Sequence, residues 1–142
     1  METSTARPLL DCSRGSVLIV DDELSLLEAV ARYLGRQGYD VQTASNATDA
    51  LAILAEGPVE VMLCDVGLPD MEGPDLVEAA RAVVPDMRVL MFSGWHDQRV
   101  ADRLFAAGAA AYVTKPMPLR ELYDIVAKAV LERRNPFDSP GS

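Results

Sequence analysis

Short apolar runs alternate along this chain with stretches whose apolar residues return every three or four positions. Ser16–Val20 (SVLIV) is a compact apolar run and reads as a buried strand. Leu24, Leu27, Val30, Ala31 and Leu34 follow at helical spacing, with Gly38 as the stop. Tyr39–Ala44 reads as a second strand. Asn46 is placed to cap a helix through Ala50, Leu51 and Leu54 that Gly57-Pro58 ends. Val59–Cys64 is a third strand, and the turn-rich stretch 67–74 leads to a helix that stops at Pro85. Arg88–Phe92 is a fourth strand. Val100, Leu104 and Ala107 mark a helix ending near Gly108. Ala111–Thr114 is a fifth strand, and Leu119, Leu122, Ile125, Val126 and Val130 mark the last helix. Arg133 and Arg134 suit that helix's negative C-terminal end.

Strands alternating with helices through short connections predict an α/β fold: a doubly wound parallel sheet with helices on both faces and right-handed crossovers. The strands are apolar almost throughout, as strands buried on both faces must be. One domain over residues 16–134 accounts for the pattern, with loose tails at 1–15 and 135–142.

Composition narrows the function. The 142 residues are 49% hydrophobic, enough for a real core, and carry a net charge of −9. That charge argues against direct nucleic-acid binding, which needs a basic face to displace counterions. No apolar run approaches a membrane span, and METSTARPLLDCSRG has neither the basic nor the apolar region of a secretory signal. A cytoplasmic module is the expectation. Cys12 and Cys64 read as free thiols in a reducing compartment. Met62, Met87 and Met91 read as core filler.

The chemistry lies just past the strand ends. Asp21 and Asp22 follow the first strand, Asp65 the third, Ser93 the fourth and Lys115 the fifth. In a doubly wound sheet the carboxyl ends of the strands line one crevice. Clustered carboxylates repel, and a hard divalent cation such as Mg²⁺ relieves that repulsion through oxygen ligands. A carboxylate can attack phosphorus, and a lysine and a hydroxyl can hold the phosphoryl oxygens. The set suffices for phosphoryl transfer onto a protein carboxylate and contains no obvious base for rapid hydrolysis afterwards.

The segments VLIVDDE (17–23), VMLCDVGLPDMEG (61–73), VLMFSG (89–94) and AAAYVTKP (109–116) resemble the receiver domain of two-component response regulators. The resemblance covers residues 16–134. It implies a flavodoxin-like (βα)5 fold with strand order 2-1-3-4-5. It implies that Asp65 is the phosphoacceptor. Asp22 and Asp65 would ligate Mg²⁺ by side chain and Gly67 by its carbonyl, with Asp21 acting through a metal-bound water. Lys115 would pair with the phosphoryl group, Ser93 would be the switch hydroxyl and Tyr112 the switch aromatic. The Lys115-Pro116 bond would be cis. The donor would be a histidine kinase or histidine phosphotransfer protein, and the output an altered surface on the fourth helix, fifth strand and fifth helix. The downstream effector is left open, and the chain would be a monomer or a phosphorylation-linked dimer.

Some positions depart from the family's usual pattern. Leu68 stands where Met is common before the loop proline, a swap that conserves volume. Gly67 and Trp95, two positions after Asp65 and Ser93, occupy places that tune acyl-phosphate lifetime in the family. Trp95 is expected either to shield the phosphoryl group from water or to pack on the loop or bind a partner. His96 is expected to be solvated, and Asp70, Glu72 and Asp75 either to form a solvated acidic loop, the favoured reading, or to add to metal binding. The rival from another class is a haloacid-dehalogenase-like phosphatase. Its Asp-x-Asp pattern would need a second aspartate where Gly67 stands, and no cap domain is visible. A binding module independent of phosphorylation would leave the complete acidic set unexplained.

Overall fold

The computed structural model describes residues 14–94 and 97–135. The elements run β1 (Ser16–Val20), α1 (Leu24–Arg36), β2 (Asp40–Ala44), α2 (Ala47–Glu56), β3 (Val61–Asp65), α3 (Gly73–Val83), β4 (Arg88–Ser93), α4 (Gln98–Ala107), β5 (Ala111–Thr114) and α5 (Leu119–Arg134). All strands are parallel, in the order β2-β1-β3-β4-β5. This is the doubly wound sheet that the alternation predicts, in the order that the resemblance implies.

Strand alternation divides the core into two layers. Val17 and Ile19, Val61 and Leu63, and Leu90 and Phe92 face α1 and α5. Leu18 and Val20, Met62 and Cys64, and Val89 and Met91 face α2, α3 and α4. Met62, Met87 and Met91 are fully buried, as core filler should be. Cutting a fully buried leucine such as Leu34 or Leu104 to alanine costs about 2–5 kcal/mol in a core packed this way.

Several boundaries differ from the sequence reading. Val59 and Glu60 stay outside β3, although the Glu60 N–H still bonds to the Ser16 carbonyl of β1 at 3.0 Å. At its other end β3 includes Asp65, which pairs with Phe92. Likewise Ser93 is the last residue of β4. Gly73 and Pro74 open α3 rather than closing the turn before it. Proline fits the first helical turn, where its missing N–H costs nothing.

The amino end of the sheet is held by charge. Glu60 accepts from Arg134 Nε at 2.7 Å and Nη2 at 2.9 Å, and from Arg133 Nη1 at 3.4 Å. Arg133 and Arg134 thus have a specific partner 73 and 74 positions away, beyond the general attraction of a helix C-terminus. Arg14 and Gly15 already bond the segment entering β2 and its first residue: Arg14 N–H to the Gly38 carbonyl, and Asp40 N–H to the Gly15 carbonyl. The Arg14 guanidinium lies 5.8 Å from the Tyr39 ring centre and 5.5 Å from that of Tyr123.

Candidate functional site

Parallel pairing aligns the carboxyl ends of β1, β3, β4 and β5, which brings residues far apart in sequence to one edge. Asp21, Asp22 and Asp65 each offer a carboxylate oxygen within 4.8 Å of the others. Lys115 closes the group, its Nζ 2.8 Å from Asp21 Oδ2 and 3.3 Å from Asp65 Oδ1. Asp21 is buried, Asp65 half-buried and Asp22 exposed, so the cluster opens to solvent on the Asp22 side. The loop after β1 turns on Asp21 itself, whose Oδ1 accepts from the Glu23 N–H at 2.9 Å.

The electrostatics follow from burial and spacing. Burial raises the Asp65 carboxyl above its ordinary value, and the charges of Asp21 and Asp22 push the same way while Lys115 opposes them. Burial alone would lower the Lys115 ammonium. Its hydrogen bond to Asp21 and the charges of Asp65 and Asp21 outweigh that, and the net shift is upward. Lys115 therefore stays charged, beside a carboxylate whose ionisation is penalised. An apolar cleft of about 260 Å³, lined by Leu26, Val30, Phe92, Met117 and Leu122 among others, also borders the lysine. The Lys115-Pro116 bond is cis, as the resemblance implies.

Ser93 is buried at the end of β4, its carbonyl accepting from the Lys115 N–H at 2.7 Å. Alternation along β4 puts Ser93 on the side of Val89 and Met91, which face α2, α3 and α4. Tyr112 lies opposite Met91 and packs half-buried against that same layer. Asp65 instead shares the parity of Val61 and Leu63, on the side of α1 and α5. The hydroxyl and the aromatic ring thus share one face of the sheet, and the phosphoacceptor candidate belongs to the other. Gly67 is exposed, and a Cβ added there would meet only Asp65 Oδ2, at 4.0 Å. Trp95 and His96 lie outside the described residues.

The acidic loop is not simply solvated. Asp70 Oδ1 accepts from the Ala47 N–H at 2.8 Å, and its Oδ2 from the Thr48 N–H at 2.9 Å and the Thr48 hydroxyl at 2.8 Å. These bonds hold the Asp70 carboxyl below its ordinary value. Sequence reasoning missed this cap. The available signal was a count of the orphan amides that open α2, which Asn46 alone does not satisfy. Glu72 pairs with Arg103 of α4 at 3.5 Å.

Among the described residues no helix is long and apolar enough to cross a membrane. A family model of the response regulator receiver domain matches residues 17–127. The chain is 38% identical over 124 residues to the response regulator protein PilR of Pseudomonas aeruginosa, covering 87% of this chain and 28% of that protein. It spans about a quarter of the length of curated relatives of this kind. A crystal structure of a CheY-like receiver domain protein from Methanospirillum hungatei matches at a TM-score of 0.83 and 32% identity, over 86% of this chain and 98% of that one. A response regulator from Burkholderia pseudomallei, solved with a phosphorylated aspartic acid, a calcium ion and citrate, matches at a TM-score of 0.75 and 25% identity. That match covers 87% of this chain and 73% of that one. Family match and acidic pocket fall on the same residues, and the chain belongs to the response regulator receiver domains, the phosphoacceptor signalling modules of two-component systems.

Proposed function

We propose that this domain accepts a phosphoryl group on Asp65 from a histidine kinase or histidine phosphotransfer protein and answers with a change on the surface of α4, β5 and α5. The observation that carries the reading is Lys115 lying between Asp21 and Asp65 at the strand ends. A phosphorylated aspartic acid in the Burkholderia pseudomallei relative supports it.

Asp65 is the nucleophile. An oxygen–phosphorus bond forms at its carboxylate as the phosphorus–nitrogen bond to the donor imidazole breaks, and the departing imidazole takes up a proton. Lys115 keeps Asp21 as its anchor and exchanges its contact with the Asp65 carboxylate for a phosphoryl oxygen. The Ser93 hydroxyl donates to another of those oxygens. The carboxylate cluster suits Mg²⁺: its donors are hard oxygens, they stand within 4.8 Å of one another, and Asp65 gains from a nearby positive charge. Asp22 and Asp65 would ligate it by side chain, Gly67 by its carbonyl, and Asp21 through a bound water. When bound, the cation neutralises charge on the transferring phosphoryl oxygens.

The switch is a population shift, driven only by contacts that differ between the two states. Ser93 moves toward the phosphoryl group and Tyr112, on the same face, turns into the space it leaves. Self-phosphorylation and self-dephosphorylation are slow at most, with Gly67 and Trp95 setting the lifetime. A phosphate half-life unchanged or lengthened in Trp95→Ala would end the shielding role of that ring. The dehalogenase-like phosphatase reading is not favoured, since Gly67 stands where its second aspartate would be. The module works in the cytoplasm without binding nucleic acid directly, as a monomer or as a dimer linked to phosphorylation.

The test is mass spectrometry after incubation with Mg²⁺ and a small acyl phosphate. The wild-type chain gains one phosphoryl group and Asp65→Asn gains none. Label retained on the variant would move the acceptor elsewhere.

A further inference from the structure

One side chain ties the Asp65 loop to the neighbouring helix. Asp70 takes the first two amides of α2, those of Ala47 and Thr48. Asn46 takes the third, its Oδ1 accepting from the Asp49 N–H at 2.8 Å, and the Ala50 N–H bonds the Asn46 carbonyl at 3.2 Å. Ala47 is fully buried, so water is a poor substitute for Asp70 at that amide. Both Asp70 oxygens are engaged in this way, and among the described residues the carboxylates grouped closely enough to share a cation are those of Asp21, Asp22 and Asp65, not Asp70.

The other end of the same junction is bonded to the pocket. The Asp21 N–H donates to the Ala44 carbonyl at 3.1 Å. Asp21 and Asp70 therefore grip the short segment 44–47 from its two ends, one from the β1 loop and one from the β3 loop. Between Asp65 and Asp70 the β3 loop is also held by the Val66 N–H bonded to the Phe92 carbonyl at 2.8 Å and by the Val66 and Leu68 side chains packed on the core. Gly67 has no side chain with which to fix itself and inherits its place from residues 66, 68 and 70.

We propose that Asp70 is a positioning residue for the Asp65 site: its clamp on α2 sets where the Gly67 carbonyl stands relative to the Asp21–Asp65 pair, and so how well the pocket takes a divalent cation. This rests on the metal-dependent phosphoacceptor reading given above. Groups that orient metal ligands from outside the coordination sphere commonly change affinity by about 10–100-fold when removed.

The experiment is a Mg²⁺ titration of the full chain followed by ¹⁵N–¹H spectra, with ¹⁵N relaxation of residues 66–68 before the metal is added. Asp70→Ala should weaken Mg²⁺ binding by about tenfold and loosen the backbone at Gly67. Asp70→Asn keeps one accepting oxygen and should fall between it and the wild type. Thr48→Glu added to Asp70→Ala returns a negative charge to the α2 N-terminus without restoring the tether. It should recover only part of the thermal stability, because the Ala47 amide stays without its acceptor, and leave Mg²⁺ binding weak. Unchanged Mg²⁺ affinity in Asp70→Ala overturns the proposal. Recovery of Mg²⁺ affinity by Thr48→Glu does so too, because Asp70 would then be a helix cap and nothing more. A wild-type chain that takes no phosphoryl group from an acyl phosphate, or an Asp65→Asn chain that does, overturns the phosphoacceptor reading instead.

Discussion

Lys115 Nζ donates to Asp21 Oδ2 at 2.8 Å, joining residues 94 positions apart at the mouth of the pocket. The ammonium offsets part of the repulsion among Asp21, Asp22 and Asp65, and any bound cation competes with it for the same oxygens. Lys115→Met should therefore bind Mg²⁺ at least as tightly as the wild type. Its phosphorylation rate should nevertheless fall by about 100-fold or more, the usual cost of losing a group aimed at transition-state charge. Calorimetric Mg²⁺ titration and phosphorylation kinetics separate the two effects. Weaker Mg²⁺ binding with an unchanged rate would contradict both.

The raised Asp65 carboxyl has a consequence for stability. A folded-state value above the ordinary 3.8 means that the folded chain holds this proton more tightly than the unfolded one. The favourable contribution is present below that ordinary value and is lost as pH rises through the folded one. At neutral pH the ionised Asp65 is a cost. Without added cation, Asp65→Asn should melt at or above the wild-type temperature at pH 7, and the gap should narrow as pH falls toward 4. Mg²⁺ at ten times its dissociation constant should stabilise the wild type by about 1.4 kcal/mol and the Asn variant by less. Thermal melts read all three, and a variant that melts well below the wild type at pH 7 would refute the argument.

Glu60 behaves in the opposite sense. Burial alone would raise its carboxyl, but the hydrogen bonds from Arg134 and from the Ser16 N–H, with the charges of Arg134 and Arg133, outweigh that and lower it below its ordinary 4.5. Its contribution is thus present above 4.5 and lost as pH falls through the lower folded value. Glu60→Gln should cost about 1–2 kcal/mol at pH 7, toward the low end because Arg134 is half exposed. The difference from wild type should shrink in acid. Urea denaturation at pH 7 and pH 4 measures both, and equal stability at pH 7 would show that the pairing contributes nothing.

Two glycines should respond to alanine with opposite signs. Gly108 closes α4 with φ +117°, and an added Cβ would stand 2.6 Å from Arg81 Cδ and Nε. Gly108→Ala should cost about 1–2 kcal/mol or more through left-handed backbone strain, and it displaces a guanidinium bonded to the Met87 carbonyl. Gly35 lies in the last turn of α1 with nothing within 4 Å of an added Cβ. Gly35→Ala should gain about 0.5–1 kcal/mol. Denaturant midpoints compare the pair, and a stabilised Gly108→Ala would mean that the turn does not need its positive φ.

The order of strands and helices was legible because each element writes its own period into the chain. SVLIV, with both faces buried, needs no partner in order to look like a strand. The pocket was legible for a related reason: Asp21, Asp65, Ser93 and Lys115 each directly follow or close an apolar run, and parallel pairing sends all such ends to one edge. Only the tertiary structure decided the face. It gave Ser93 and Tyr112 to the side of α2, α3 and α4, and Asp65 to the side of α1 and α5, because a strand's parity is fixed by the register of its neighbours. It also decided what the lone polar groups were for. Asp70 and Glu60 look like ordinary surface acids in any local window, since the amides and guanidiniums that claim them lie 22 to 74 positions away. Hydrogen-bond partners at that distance are chosen by packing, which a period of two or 3.6 residues does not encode.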